Sequence, residues 1–248
     1  PYYLMDKYGS DSLLALDGYA FDATDQKMLK DLNFTLVYID DVAQGTQYAD
    51  LLINHSPGAI LLDYSCASTT RMALGLNYAL LRKGFLRKNT LPYHADQIHC
   101  VFVSLGGSKQ TELLHRVIEA LIGIQSIHEI HVISAFTKDL EHLAAHTKKS
   151  IHIYRDLNEN QIIELLKKSD AAFVPSSTLS LEAAALGVPL ITGYFVDNQK
   201  NIYEGWMQSE VGLGLGNLSK YNFENFKQAL NAINNPSSLL KFRNNLSK

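Results

Sequence analysis

The chain of 248 residues carries only two cysteines, Cys66 and Cys100. Two thiols make neither a disulfide framework nor a four-ligand zinc site, so a reducing cytoplasm is the expected setting. Long hydrophobic runs are lacking as well, and none approaches the ~20 residues that span a bilayer. The opening "PYYLMDKYGSDS" has neither the basic start nor the apolar core of a signal peptide. There is no excess of positive charge. The formal net charge of -3 gives no electrostatic reason to expect nucleic acid or an anionic membrane as partner. The 13 tyrosines are scattered and form no stacking array for single strands. What is present is ordinary for a globular protein: 46% hydrophobic, 19% charged, and a length suited to one large or two small domains.

Strand and helix patterns alternate along the chain. Short apolar runs at 12–17, 34–40 and 49–54 predict strands, with a helix over 22–33 and a helical or mixed stretch over 71–85. Apolar runs without polar alternation suit strands buried on both faces of a parallel sheet. The polar stretch "LRKNTLPYHADQ" (86–97) interrupts the pattern and predicts a linker, with domains at 1–88 and 89–248. A second series follows, with strands at 98–105, 129–134, 150–154, 171–175, 188–192 and 211–216. Helices are expected at 109–123, 138–147, 159–168, 179–186, 201–209 and 222–233. The expected class is α/β, with two Rossmann-like domains flanking a cleft and the amino-terminal one incomplete.

Three segments can carry chemistry, because ligands of open α/β sheets sit at the carboxyl ends of the strands. "SLGGS" (104–108) joins a strand to a helix, and unshielded backbone amides beside a helix dipole make an anion site. A tight turn without a ligand is the rival reading, since neither G-x-x-x-x-G-K-[ST] nor G-x-G-x-x-G is present. In "PSSTLSLEAAALGVPLITG" (175–193), hydroxyl residues precede a helix that carries Glu182 in its expected first turn. A carboxylate there can accept both hydroxyls of a ribose; alternatively Ser180 or Thr178 caps the helix and Glu182 serves its dipole. "GYFVDNQKNIYEG" (193–205) places Asn198 and Gln199 after a strand, as amide donors or as part of a solvated loop.

Together the three segments have the layout of a nucleotide-sugar site, and they resemble the carboxyl-terminal domain of GT-B glycosyltransferases, including the enzyme that makes lipid II. "LALDGYAFDATDQKMLK", "LVYIDDVA", "ADLLINHSPGA" and "LGLNYALLRKGF" narrow the match. They closely resemble the UDP-2,4-diacetamido-2,4,6-trideoxy-β-L-altropyranose hydrolases of pseudaminic acid biosynthesis. The resemblance covers nearly the whole chain. It implies a GT-B scaffold on which water, in place of an acceptor sugar, splits UDP from a diacetamido-sugar without a metal or other cofactor.

The resemblance further implies a role for each matching residue. Gly106, Gly107 and Ser108 match the pyrophosphate turn; Glu182, with Ser177 and Thr178, matches the ribose and phosphate segment. Asn198, beside Gln199, matches an asparagine facing the sugar, and Tyr19 matches a tyrosine close to the reacting centre. Lys109 would add a cation or be solvated. Asp40 and Asp41 match an acidic pair for which capping and loop fixing is the preferred role. The family's "GSGHxxR"-like loop, source of its candidate base, has no match, and His55 is the histidine on a cleft-side loop. Roughly 60 residues are accordingly expected upstream, and the chain as given is expected to bind UDP but turn over poorly. A GT-B transferase and a non-catalytic nucleotide-sugar-binding remnant are the rival readings. Lys148-Lys149 and Lys167-Lys168 are read as solvated helix faces, and the remaining histidines as surface or structural groups.

Overall fold

Leu36, Leu52, Val101, Phe102, Phe173 and Leu190 are all fully buried, as expected of strands covered on both faces. A computed structural model describes residues 2–9, 11–86, 96–106, 110–135 and 138–247. The chain divides into two compact units, Pro1–Leu80 and Leu81–Lys248. The division precedes the polar 86–97 stretch, most of which lies outside the described residues. Residues 81–86 go with the second unit because Phe85, 2% exposed, packs with Phe102 and Ile163. The Gly84 N–H also donates to Glu159 Oε1 at 2.6 Å.

The first unit runs α1 (Tyr2–Tyr8), β1 (Leu13–Asp17), α2 (Ala23–Asp31), β2 (Thr35–Ile39), β3 (Thr46–Gln47), β4 (Leu51–Asn54), β5 (Ser65–Cys66) and β6 (Arg71–Leu74). Its main sheet is parallel, in the order β1-β2-β4-β6. Strand β6 replaces the helical or mixed structure expected from residue 71. "RMAL" has no apolar run to announce a strand, yet it pairs in register with β4, Ile53 opposite Ala73. Asp22 opens α2 by accepting from Thr24 N and Asp25 N, while Asp25 answers with a bond from Asp22 N, a reciprocal cap.

The second unit continues with β7 (Cys100–Ser104), α3 (Thr111–Ile122), β8 (Glu129–Ile133), α4 (Lys138–Ala145), β9 (Ser150–Tyr154), α5 (Glu159–Lys168) and β10 (Ala171–Pro175). Then come α6 (Thr178–Ala185), β11 (Leu190–Tyr194), α7 (Lys200–Ser209), β12 (Gly212–Asn217), α8 (Phe226–Ile233) and α9 (Pro236–Leu246). Strand β11 starts two residues later than expected because Pro189 has no N–H for the ladder; its carbonyl accepts from Ala172 N instead. Helix α9, capped by Asn235 with Pro236 at its start, was not anticipated.

The six strands are parallel in the order β12-β11-β10-β7-β8-β9. Strand alternation sorts their side chains into two cores. Val101, Val103, Ile130, Val132 and Phe173 meet α3, α8 and α9 on one face. Phe102, Ala172, Val174 and Leu190 meet α5, α6 and α7 on the other. Lys149 departs from its expected solvated state: its ammonium donates to the Ile124 and Ile127 carbonyls, and burial lowers its pKa.

Candidate functional site

In chain order, the second unit's sheet grows in one direction from β7 through β8 to β9. It then returns to the other side of β7 for β10, β11 and β12. The order therefore reverses between β7 and β10, and the loops leaving these two strands diverge to open a crevice at their carboxyl ends. The glycine turn and the hydroxyl segment leave those two strands.

After β7, Ser104 is buried and its Oγ accepts from Gly106 N at 3.3 Å, tightening the turn. Gly106 has φ of +70°, a left-handed conformation that favours glycine. Gly107, Ser108 and Lys109 lie outside the described residues.

After β10, Ser176 N–H bonds to Gly193 O and its hydroxyl meets Thr192 Oγ1 at 2.9 Å, locking the strand end to β11. Ser177 takes the N-cap position of α6, so Thr178 is the first helical residue rather than the cap. Ser180 Oγ holds this end together: it accepts from Ser177 N at 3.2 Å and from Trp206 Nε1 at 2.9 Å, and it donates to Ser177 O. Ala183 and Ala184 are small enough for α6 to lie close on the sheet.

Glu182 differs from expectation in position and in partner. It lies beyond the first turn of α6, so it does not serve the helix dipole, and it is 3% exposed. Arg82 grips it with Nε to Oε1 at 2.6 Å and a terminal nitrogen to Oε2 at 2.7 Å. The same guanidinium lies 5.0 Å from the centre of the Phe85 ring, and the carboxylate raises its pKa. Arg82 went unnoticed in the sequence. It lies 100 residues from its partner, in a stretch without a motif, so no local signal pointed to it.

After β11, residues Asp197–Gln199 form a single 3-10 turn leading into α7. Gln199 Oε1 accepts from Phe195 N at 3.1 Å, which fixes the amide with its NH2 group at the other end. Asn198 is half-buried in the same turn. Gly193 is required for packing, because a Cβ there would stand 2.5 Å from Gly216 O.

The first unit gathers a different set of groups at its strand ends. Tyr19, after β1, is 67% exposed and donates to Asp41 Oδ2 at 2.8 Å. Asp40, after β2, is buried and accepts from Ala43 N at 2.7 Å and from the Tyr64 hydroxyl at 2.8 Å. Asn54, closing β4, donates to the same Tyr64 oxygen. The acidic pair thus divides. Asp40 fixes the loop, whereas Asp41 faces Tyr19, and burial raises its carboxyl pKa. His55 accepts from Leu80 N through Nδ1 at 3.0 Å, and burial lowers its pKa. Its neutral form therefore carries the proton on Nε2, so that nitrogen is a donor and not a base.

No protein-family model matches the chain. The chain is 22% identical over 209 residues to the uncharacterized protein MJ1062 of Methanocaldococcus jannaschii, covering 79% of this chain and 43% of that protein. It is 24% identical over 173 residues to the spore coat polysaccharide biosynthesis protein SpsG of Bacillus subtilis, covering 68% and 51%. The chain thus spans about half the length of the curated relatives it matches. Among solved structures, Acinetobacter baumannii MurG superimposes with a TM-score of 0.68 at 12% identity, over 99% of this chain and 70% of that one. The spinosyn rhamnosyltransferase SpnG in complex with thymidine diphosphate gives 0.61 at 14% identity, over 99% and 72%. At such identities the likeness speaks for architecture alone, and the architecture is α/β with parallel sheets, the GT-B glycosyltransferase-like fold.

Proposed function

We propose that the second unit binds a UDP-sugar and that the protein hydrolyses it, water attacking the anomeric carbon as the glycosyl–oxygen bond breaks and UDP leaves. The observation that carries the reading is the reversal of strand order between β7 and β10. It sets the Gly106 turn and the N-terminus of α6 at one crevice, where backbone amides meet a pyrophosphate without needing a metal. Each Glu182 oxygen takes one guanidinium contact from Arg82 and keeps a further lone pair, so ribose hydroxyls bind without breaking the ion pair. Tyr19 and Asn198 are the proposed sugar-contacting residues, and Gly107, Ser108, Ser177, Thr178 and Gln199 complete the proposed nucleotide set. Hydrolysis of a diacetamido-sugar is preferred on the resemblance of the "DGY" and "IDD" segments. The printed name of SpsG adds polysaccharide biosynthesis as a setting.

A transferase is the second reading, favoured by the likeness to MurG and SpnG. Calorimetry with UDP and UMP tests the nucleotide site, and failure of both to bind at millimolar concentration overturns it. Phosphorus NMR of a UDP-linked diacetamido-sugar with protein and no acceptor tests the reaction. Release of UDP supports hydrolysis; release only after an acceptor sugar is added supports transfer.

A further inference from the structure

At the opposite ends of the same strands, one stretch of the second unit's sheet is polar where its neighbours are apolar. Cys100 and Glu129 open β7 and β8 and pair in register, and His131 pairs with His152 of β9 two residues further on. Residues two apart share a face, so these four side chains lie on the face where Phe102 joins the second core.

His131 is 4% exposed, yet its Nε2 is buried without a hydrogen-bond partner. Its Nδ1 lies 3.2 Å from the Tyr154 hydroxyl. Glu129 Oε1 stands 3.4 Å from His131 Nε2 and 3.2 Å from His152 Nε2. Ligand atoms of Cys100, Glu129 and His131 all lie within 4.8 Å of one another. A buried ring nitrogen left without a partner is costly. An orphan nitrogen beside a thiol and a carboxylate, on a ring held at its other nitrogen, is the arrangement of an oriented metal ligand.

We propose that Cys100, Glu129 and His131 bind a zinc ion, with His152 as the fourth ligand. One thiolate, one carboxylate and two imidazoles suit a borderline-soft divalent cation with tetrahedral preference, whereas calcium and magnesium call for oxygen cages. Tetrahedral bonds of ~2.0–2.3 Å need only a modest contraction of the cluster. Coordination takes the Cys100 thiol as thiolate and releases its proton. With four protein ligands the site is closed and structural. It ties the starts of β7, β8 and β9 together at the end of the sheet opposite the proposed nucleotide crevice. It also revises the expectation, drawn from the cysteine count and the resemblance, that the protein holds no metal.

Titration of the metal-free protein with cobalt(II), followed by zinc competition, tests the proposal. The expected result is one cobalt per chain, visible bands of tetrahedral geometry and a sulfur-to-metal charge-transfer band. Cys100→Ser should abolish the charge-transfer band while Cys66→Ser leaves it intact, and His131→Asn should weaken zinc more than about tenfold. Should either buried variant fail to fold, Glu129→Gln, at a half-exposed position, provides the reading and should also weaken zinc more than about tenfold. Absence of the charge-transfer band in the unaltered protein, or unchanged zinc affinity in Glu129→Gln, overturns the proposal.

Discussion

The two sheets are both parallel, yet they assemble polar groups at their strand ends in different ways. In the first unit the described strands β1, β2, β4 and β6 lie in chain order, so each crossover moves the same way and no two loops diverge. Its constellation depends on side chains bonding to one another: Tyr19 to Asp41, and Tyr64 between Asp40 and Asn54. In the second unit the order reverses, and the crevice is framed by backbone, a left-handed glycine turn and a helix N-terminus. Strand order decides whether a sheet of this kind presents main-chain donors or must build its polar site from side chains.

The largest expected effect strikes the second unit alone. A Cβ at Gly212 would lie 1.8 Å from Leu190 O, so Gly212→Ala must displace β12 from β11. Overpacking of backbone against backbone should cost about 3 kcal/mol or more, read by denaturant unfolding. A shift in midpoint below a third of that would show the two strands to be loosely joined.

Ligand binding sharpens the contrast. Glu182→Ala should weaken UDP by about 10–100-fold through loss of charge-assisted bonds, whereas Tyr19→Phe in the first unit should leave UDP affinity unchanged. Calorimetry reads both, and equal losses would erase the distinction between the two constellations. Next in size is Arg82→Ala, which strands a buried carboxylate and should cost about 1–3 kcal/mol of stability. An unchanged midpoint would mean that water solvates Glu182 in its place.

Within the first unit, Tyr64→Phe removes the hydroxyl shared by Asp40 and Asn54 and should cost about 1 kcal/mol. Tyr19→Phe, exposed, should change thermal unfolding by less than about 0.5 kcal/mol. The smallest effect concerns pH. His55 has a depressed pKa in the folded state, so it binds fewer protons there than in the unfolded chain. Its contribution is complete above about pH 6.5 and is lost as pH falls below that value. His55→Gln keeps an acceptor for Leu80 N and should flatten this part of the stability profile.

Much of this architecture was legible because short apolar runs and amphipathic helices are local signals. Cys100–Ser104, Ser150–Tyr154, Ala171–Pro175 and Glu159–Lys168 lie where periodicity places them. Strand β6 was not legible, since "RMAL" becomes a strand only by pairing with β4. The Gly106 turn announced itself through a glycine pair between a strand and a helix. The Arg82–Glu182 pair did not, because no pattern relates a charge on one segment to a carboxylate 100 residues away. His131 was equally hidden: alternation predicts a strand, but the lost partner of its Nε2 appears only when Glu129, His152 and Tyr154 surround it.

By itself the sequence determined the alternation of strand and helix, the α/β class, and the glycine and hydroxyl residues at the ends of β7 and β10. These follow from backbone sterics and hydrophobic period, which act over a few residues. Only the tertiary structure decided the order of the strands, and with it the crevice between β7 and β10. It also set the pairing of Glu182 with Arg82 and the gathering of Cys100, Glu129 and His131. Strand order depends on the side of the sheet to which each crossover returns, and packing over the whole domain decides that.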